Sequence, residues 1–178
     1  MSSEYIYDIL AQGNCPALVR GGCFCIGNER TLAWDTKGLV KACDAAGSGS
    51  TALGRRSMRV FDSSLAGRIA MALKVADDWL IPMQMIDTCA DGIWIDPGNF
   101  SVRFKLLGSD PGMEKSFAGT VLDAVSCVFA GSGVLCGTEL IKMLENAEST
   151  DPSPDTVLRL LKQPSLLLHG LKRECVDH

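Results

Sequence analysis

The stretch Asp96-Pro97-Gly98-Asn99-Phe100-Ser101-Val102-Arg103-Phe104-Lys105-Leu106-Leu107 decides the fold class. From Phe100 to Leu106 every second residue is apolar, with Ser101, Arg103 and Lys105 between them. A repeat of two belongs to a strand with one face in a core and the other in water. Ahead of it, Pro97 presets one backbone angle and Gly98 can take a positive φ, the chemistry of a tight reversal. Upstream, residues 93–95 and 82–89 read as two further strands, joined at Asp91-Gly92. Residues 82–107 are therefore expected to form a three-stranded antiparallel meander.

Working outward, Asp62 or Ser63 is placed to cap a central helix over about 63–79. Its Leu65, Ile69, Ala72, Leu73 and Ala76 fall on one side. Near the start, Tyr5, Ile6, Ile9 and Leu10 predict a helix over 4–12 that Gly13-Asn14 ends. Residues 17–26, 31–34 and 39–42 read as short strands joined by turns at 27–30 and 35–38. The pair Gly21-Gly22 predicts a bulge or bend, and residues 45–51 a flexible loop. Beyond Gly112 the pattern turns helical. Phe117, Val121, Ala124, Val125 and Val128 make a stripe over 113–130, and a second helix covers 138–147. Ser153-Pro154-Asp155 then offers a cap, a proline at the first helical position and an acid at the positive end of the dipole. A last helix is expected over 165–174. Strands that cluster instead of alternating with helices predict an α+β fold in one domain, residues 1–178.

At 178 residues a folded chain buries ~70% of its unfolded surface, so no staple is needed. Apolar residues at 47% and charged residues at 21% exclude a largely disordered chain. The net charge of −4 contains no block of one sign, and neither a nucleic-acid surface nor a polybasic membrane patch is indicated. No basic segment followed by an apolar run opens the chain, so no secretory signal is expected. The apolar runs also fall short of the ~20 residues that span a bilayer. Most of the eight cysteines sit in apolar segments, where they act as small hydrophobes. Reduced thiols and a cytoplasmic location, or an intracellular one that includes assembly in a particle, are the expectation.

Three constellations bear on chemistry. Cys23 and Cys25, two apart on an expected strand, point to one side. Structural zinc usually needs two such pairs, and only His169 and His178 could add imidazole, so two core-filling residues with no metal and no cofactor are expected. Gln12-Gly13-Asn14-Cys15 resembles, over four residues, the glutamine-glycine-x-cysteine spacing of papain-like proteases. A thiolate nucleophile needs an imidazole base and a group to orient it, and His169 is the internal histidine. Cys15, or Cys23 and Cys25, with His169 is thus the alternative, cysteine-dependent reading. Pro16 works against the helix that would carry such a nucleophile. The third constellation, Gly49-Ser50-Thr51-Ala52-Leu53-Gly54-Arg55-Arg56-Ser57, has phosphate-loop spacing with arginine where lysine is usual. Arg55, Arg56 and Arg59 are candidate phosphate or nucleotide ligands, though no convincing strand precedes the loop. Asp91 and Asp96 read as turn formers and Asp77-Asp78 as solvated, while Asp87 is expected within a strand.

None of these supplies nucleophile, base and orienting group together. The expected function is therefore non-catalytic: a protein-binding or self-assembling structural subunit. Met58, Met71, Met83, Met85, Met113 and Met143 provide adaptable apolar surface for such contacts. The expected partner is protein, a second copy of this chain included.

Overall fold

The computed structural model describes residues 3–26, 29–45, 55–108, 112–132 and 138–162, and within these the fold is α+β. Helix α1 (Ser3–Gln12) buries Ile6, Ile9 and Leu10. It ends where Gly13 takes a φ of +63°, the left-handed region that glycine enters without strain. The chain then runs alongside Phe104. Phe104 N donates to Ala17 O at 2.8 Å, Val19 N donates to Phe104 O at 2.9 Å, and Leu18 bridges Phe104 in parallel.

At Arg20 the chain changes partner. Strand β1 (Gly21–Ile26) pairs antiparallel with β2 (Glu29–Trp34), from Gly21 opposite Trp34 to Ile26 opposite Glu29. The bend expected at Gly21-Gly22 is thus a change of sheet one residue earlier, and the ladder through the glycines is regular. Gly21 serves packing instead: a Cβ there would lie 2.8 Å from the Trp34 ring and 2.8 Å from Ala33 O.

The second sheet runs β3 (Val40–Lys41), β4 (Ile93–Ile95) and β5 (Val102–Phe104), antiparallel in that order. Val102, Phe104 and Leu106 are buried, as the alternation predicts. Phe100 does not join them. It is 52% exposed and holds the positive φ, +57°, expected of Gly98. The stretch after Pro82 contributes one bridge, Ile86 to Leu106, preceded by a 3-10 turn at Met83–Met85. The third strand of the sheet is Val40–Lys41. Met85 N donates to Pro82 O and Ile86 N to Met83 O, so Met83 and Met85 reach the core by curling. Asp87 therefore sits in a loop, where its Oδ1 accepts the Cys89 N–H at 3.0 Å.

Helix α2 (Arg55–Asp78) begins before the predicted start, so Asp62 and Ser63 lie inside it. Nothing between Arg55 and Ser64 is a helix breaker. Leu65, Ala66, Ile69, Ala70, Leu73 and Ala76 are all buried along one face. Helix α3 (Phe117–Ser132) starts later than predicted because Ser116 caps it, its Oγ accepting the Gly119 N–H at 3.0 Å. It continues through Gly131. Helices α4 (Thr138–Thr150) and α5 (Pro154–Leu161) follow. Ser153 caps α5 through its main chain, the carbonyl accepting from Thr156 and Val157, while its hydroxyl meets that of Thr156. α2 packs against α3, α5 and β5, and α4 packs on α3, which makes one core. The expected loop beyond Ala45 and the helix over 165–174 lie outside the described residues.

Candidate functional site

The hairpin β1–β2 turns one of its two faces outward. Residues opposite one another in an antiparallel pair share a face. Gly21 and Cys23 thus share one with Trp34 and Leu32, and both large side chains pack against the core. The other face presents Gly22, Phe24, Thr31 and Ala33. Phe24 is 56% exposed, and Thr31 and Ala33 are exposed beside it. Its ring lies back over the space a Gly22 side chain would take, 3.2 Å from the position of that Cβ. Among the described residues no third strand pairs with this sheet, and β1 contains no charged residue. Alternation located the strands. It could not say which face would meet the core, because both carry apolar residues.

The candidate thiols are scattered. Cys15 is buried at 2% exposure. Burial pushes its thiol up, against hydrogen bonds from the Ala17 and Leu18 main chain that lower it. Since the thiolate is the reactive form, that shift disfavours reaction at neutral pH. Cys23 is half-buried on β1 with a free thiol. Cys25 follows two residues later on the same strand, and its side chain, like His169, lies outside the described residues. Arg55, Arg56 and Arg59 occupy the first two turns of α2 instead of a loop end.

A thiol that sequence reasoning passed over is Cys89, which is free and exposed. The charge of Asp87 is the main cause that raises its pKa, followed by desolvation and a hydrogen bond that the thiol donates to Asp87. The polar run Asp87-Thr88-Cys89-Ala90-Asp91-Gly92 was the available signal, since it sets this cysteine apart from those in apolar segments.

The outer face of the second sheet holds a row of polar side chains. Lys41 pairs with Trp94 and Trp94 with Arg103, so the three stand across β3, β4 and β5. Trp94 Nε1 donates to Asp91 O at 2.9 Å, and Lys105 Nζ lies 4.9 Å from the centre of the Trp94 ring. Lys41 makes an ion pair with Asp91 and holds that carboxyl below its ordinary range. Arg103 Nη2 stands 3.7 Å from Asp96 Oδ2. Asp96 also serves its turn as predicted, Oδ1 accepting the Gly98 N–H at 2.9 Å. Asp78 pairs with Lys74 at 2.7 Å.

Among the described residues, no group of three or more His, Cys, Asp or Glu side chains is arranged to hold a metal ion, and no helix is long and apolar enough to cross a membrane. No family model, curated protein or solved structure matches this chain.

Proposed function

We propose that the protein is a non-catalytic subunit that associates with copies of itself through the outward face and free edge of the β1–β2 hairpin. The observation that carries this reading is Phe24, an aromatic ring 56% exposed on a sheet face where Gly22, Thr31 and Ala33 stand beside it. Aromatic side chains in such positions supply large contact area at small entropic cost. A strand without charge, proline or bulge is also a template for another strand, because its unpaired N–H and C=O groups point outward. A second copy is the occupant that fits best. Antiparallel pairing about a two-fold axis presents the same residues to one another, and the uncharged β1 meets its twin without like-charge repulsion.

Multi-angle light scattering of the full chain tests this. The expected mass is a multiple of 19.0 kDa, and Phe24→Lys, which alters only an exposed position, is expected to return it to that of one chain. A single-chain mass from micromolar to near-millimolar concentration, or an assembly indifferent to Phe24→Lys, overturns the proposal.

A further inference from the structure

The outer face of β3–β4–β5 leaves one strong donor group unspent. Among the described residues, three cations stand there, Lys41, Arg103 and Lys105, against two carboxylates, Asp91 and Asp96. The face is thus positive in a chain whose net charge is −4. Two of the cations have close partners. Lys41 is hydrogen-bonded to Asp91, and Lys105 lies over the Trp94 ring at 4.9 Å, within range of a cation–π contact.

Arg103 differs. Asp96 stands 3.7 Å from it, beyond hydrogen-bond distance. The carboxylate is kept there because its other oxygen accepts the Gly98 N–H. Arg103 Nε is closed off from water and has no acceptor. A guanidinium carries five N–H donors in one plane, arranged to grip two oxygens at once. Here it is held by packing and by a distant charge, not by hydrogen bonds, while its side chain stays 27% exposed.

We propose that this face is a binding site for an oxyanion, the phosphate or carboxylate group of a small molecule, with Arg103 as the principal donor. Lys41 and Lys105 add flanking charge, and Trp94 lies beside the site as a flat apolar surface for whatever carries the anion. The oxyanion takes the place beside Arg103 that Asp96 approaches without filling. This site is separate from the hairpin face, so either proposal stands if the other fails.

The test follows the Trp94 indole N–H resonance of the full ¹⁵N-labelled chain, assigned with Trp94→Phe. The protein is titrated in turn with inorganic phosphate, acetate and chloride at constant ionic strength. A saturable shift with phosphate or with acetate, but not with chloride, is expected, and the stronger of the two names the anion. Arg103→Gln should weaken saturation by about tenfold or more, since a charge-assisted fork is lost. Asp96→Asn keeps the bond to Gly98 and removes the competing charge, so it should tighten binding severalfold. Where Arg103→Gln fails to fold, Arg103→Lys takes its place, because it keeps the charge without the fork. No saturable shift with either anion up to tens of millimolar, or saturation unchanged in the folded Arg103 variant, overturns the proposal.

Discussion

Cys89 and its neighbour Asp87 show how one residue sets the reactivity of another. The Asp87 carboxylate accepts the Cys89 N–H at 3.0 Å, and its charge pushes the thiol pKa up. An exposed cysteine is thereby made less reactive than its exposure implies, because less thiolate is present at neutral pH. Asp87→Asn keeps the acceptor and removes the charge. Alkylation of Cys89 should then run severalfold faster at pH 7.5, as read by peptide mass spectrometry, while buried Cys15 stays protected in both proteins. The Lys41–Asp91 pair sets a second test. The Asp91 carboxyl lies below its ordinary 3.8, so the pair's contribution is present above that value and is lost as pH falls through the folded pKa. The urea midpoint of Asp91→Asn should sit slightly below that of the native chain at pH 7 and converge with it as pH falls below the lowered Asp91 pKa. Both side chains are exposed, so the gap should be small and should shrink in high salt.

Among the elements, α3 offers the cleanest local test. Ser116 Oγ satisfies the Gly119 N–H at the start of the helix, and Ser116→Ala should cost ~1 kcal/mol of unfolding free energy by urea titration. Caps of this kind, and apolar periodicity, are local signals. They made α1, α5, β4 and β5 legible in the sequence, along with the α+β class. The start of α2 was misplaced, because Asp62 and Ser63 are cap-type residues that lie inside the helix and no breaker separates them from Arg55. Residues 82–89 misled for another reason: Met83 and Met85 are spaced like strand residues, yet a 3-10 turn buries the same pair. The second partner of β4 was hidden, since pairing Val40 with Ile95 joins segments far apart in the chain. The row Lys41, Trp94 and Arg103 depends on that register, so the alternation announced a charged face without its composition. On the hairpin, Cys23 and Phe24 were both visible. Which one faced outward was settled by the packing of Leu32 and Trp34.

For the whole molecule, Phe104 is the residue where most parts meet. It is fully buried, pairs with Ile93 on one side and is flanked by Ala17 and Val19 on the other, while β5 packs against α2. Phe104→Ala should cost ~3–5 kcal/mol, the range for truncating a large core aromatic. Unfolding followed by tryptophan fluorescence and by far-UV circular dichroism should shift together, because a single core couples both sheets to the helices. The parallel bridge between Leu18 and Phe104 also orders events during synthesis. The hairpin closes between neighbouring residues and can form as soon as Trp34 clears the ribosome. The segment at Leu18 must wait for Phe104 to be translated, and contacts so distant along the chain close slowly. A nascent chain therefore carries the Phe24 face in the open before its own anchor to the rest of the fold exists.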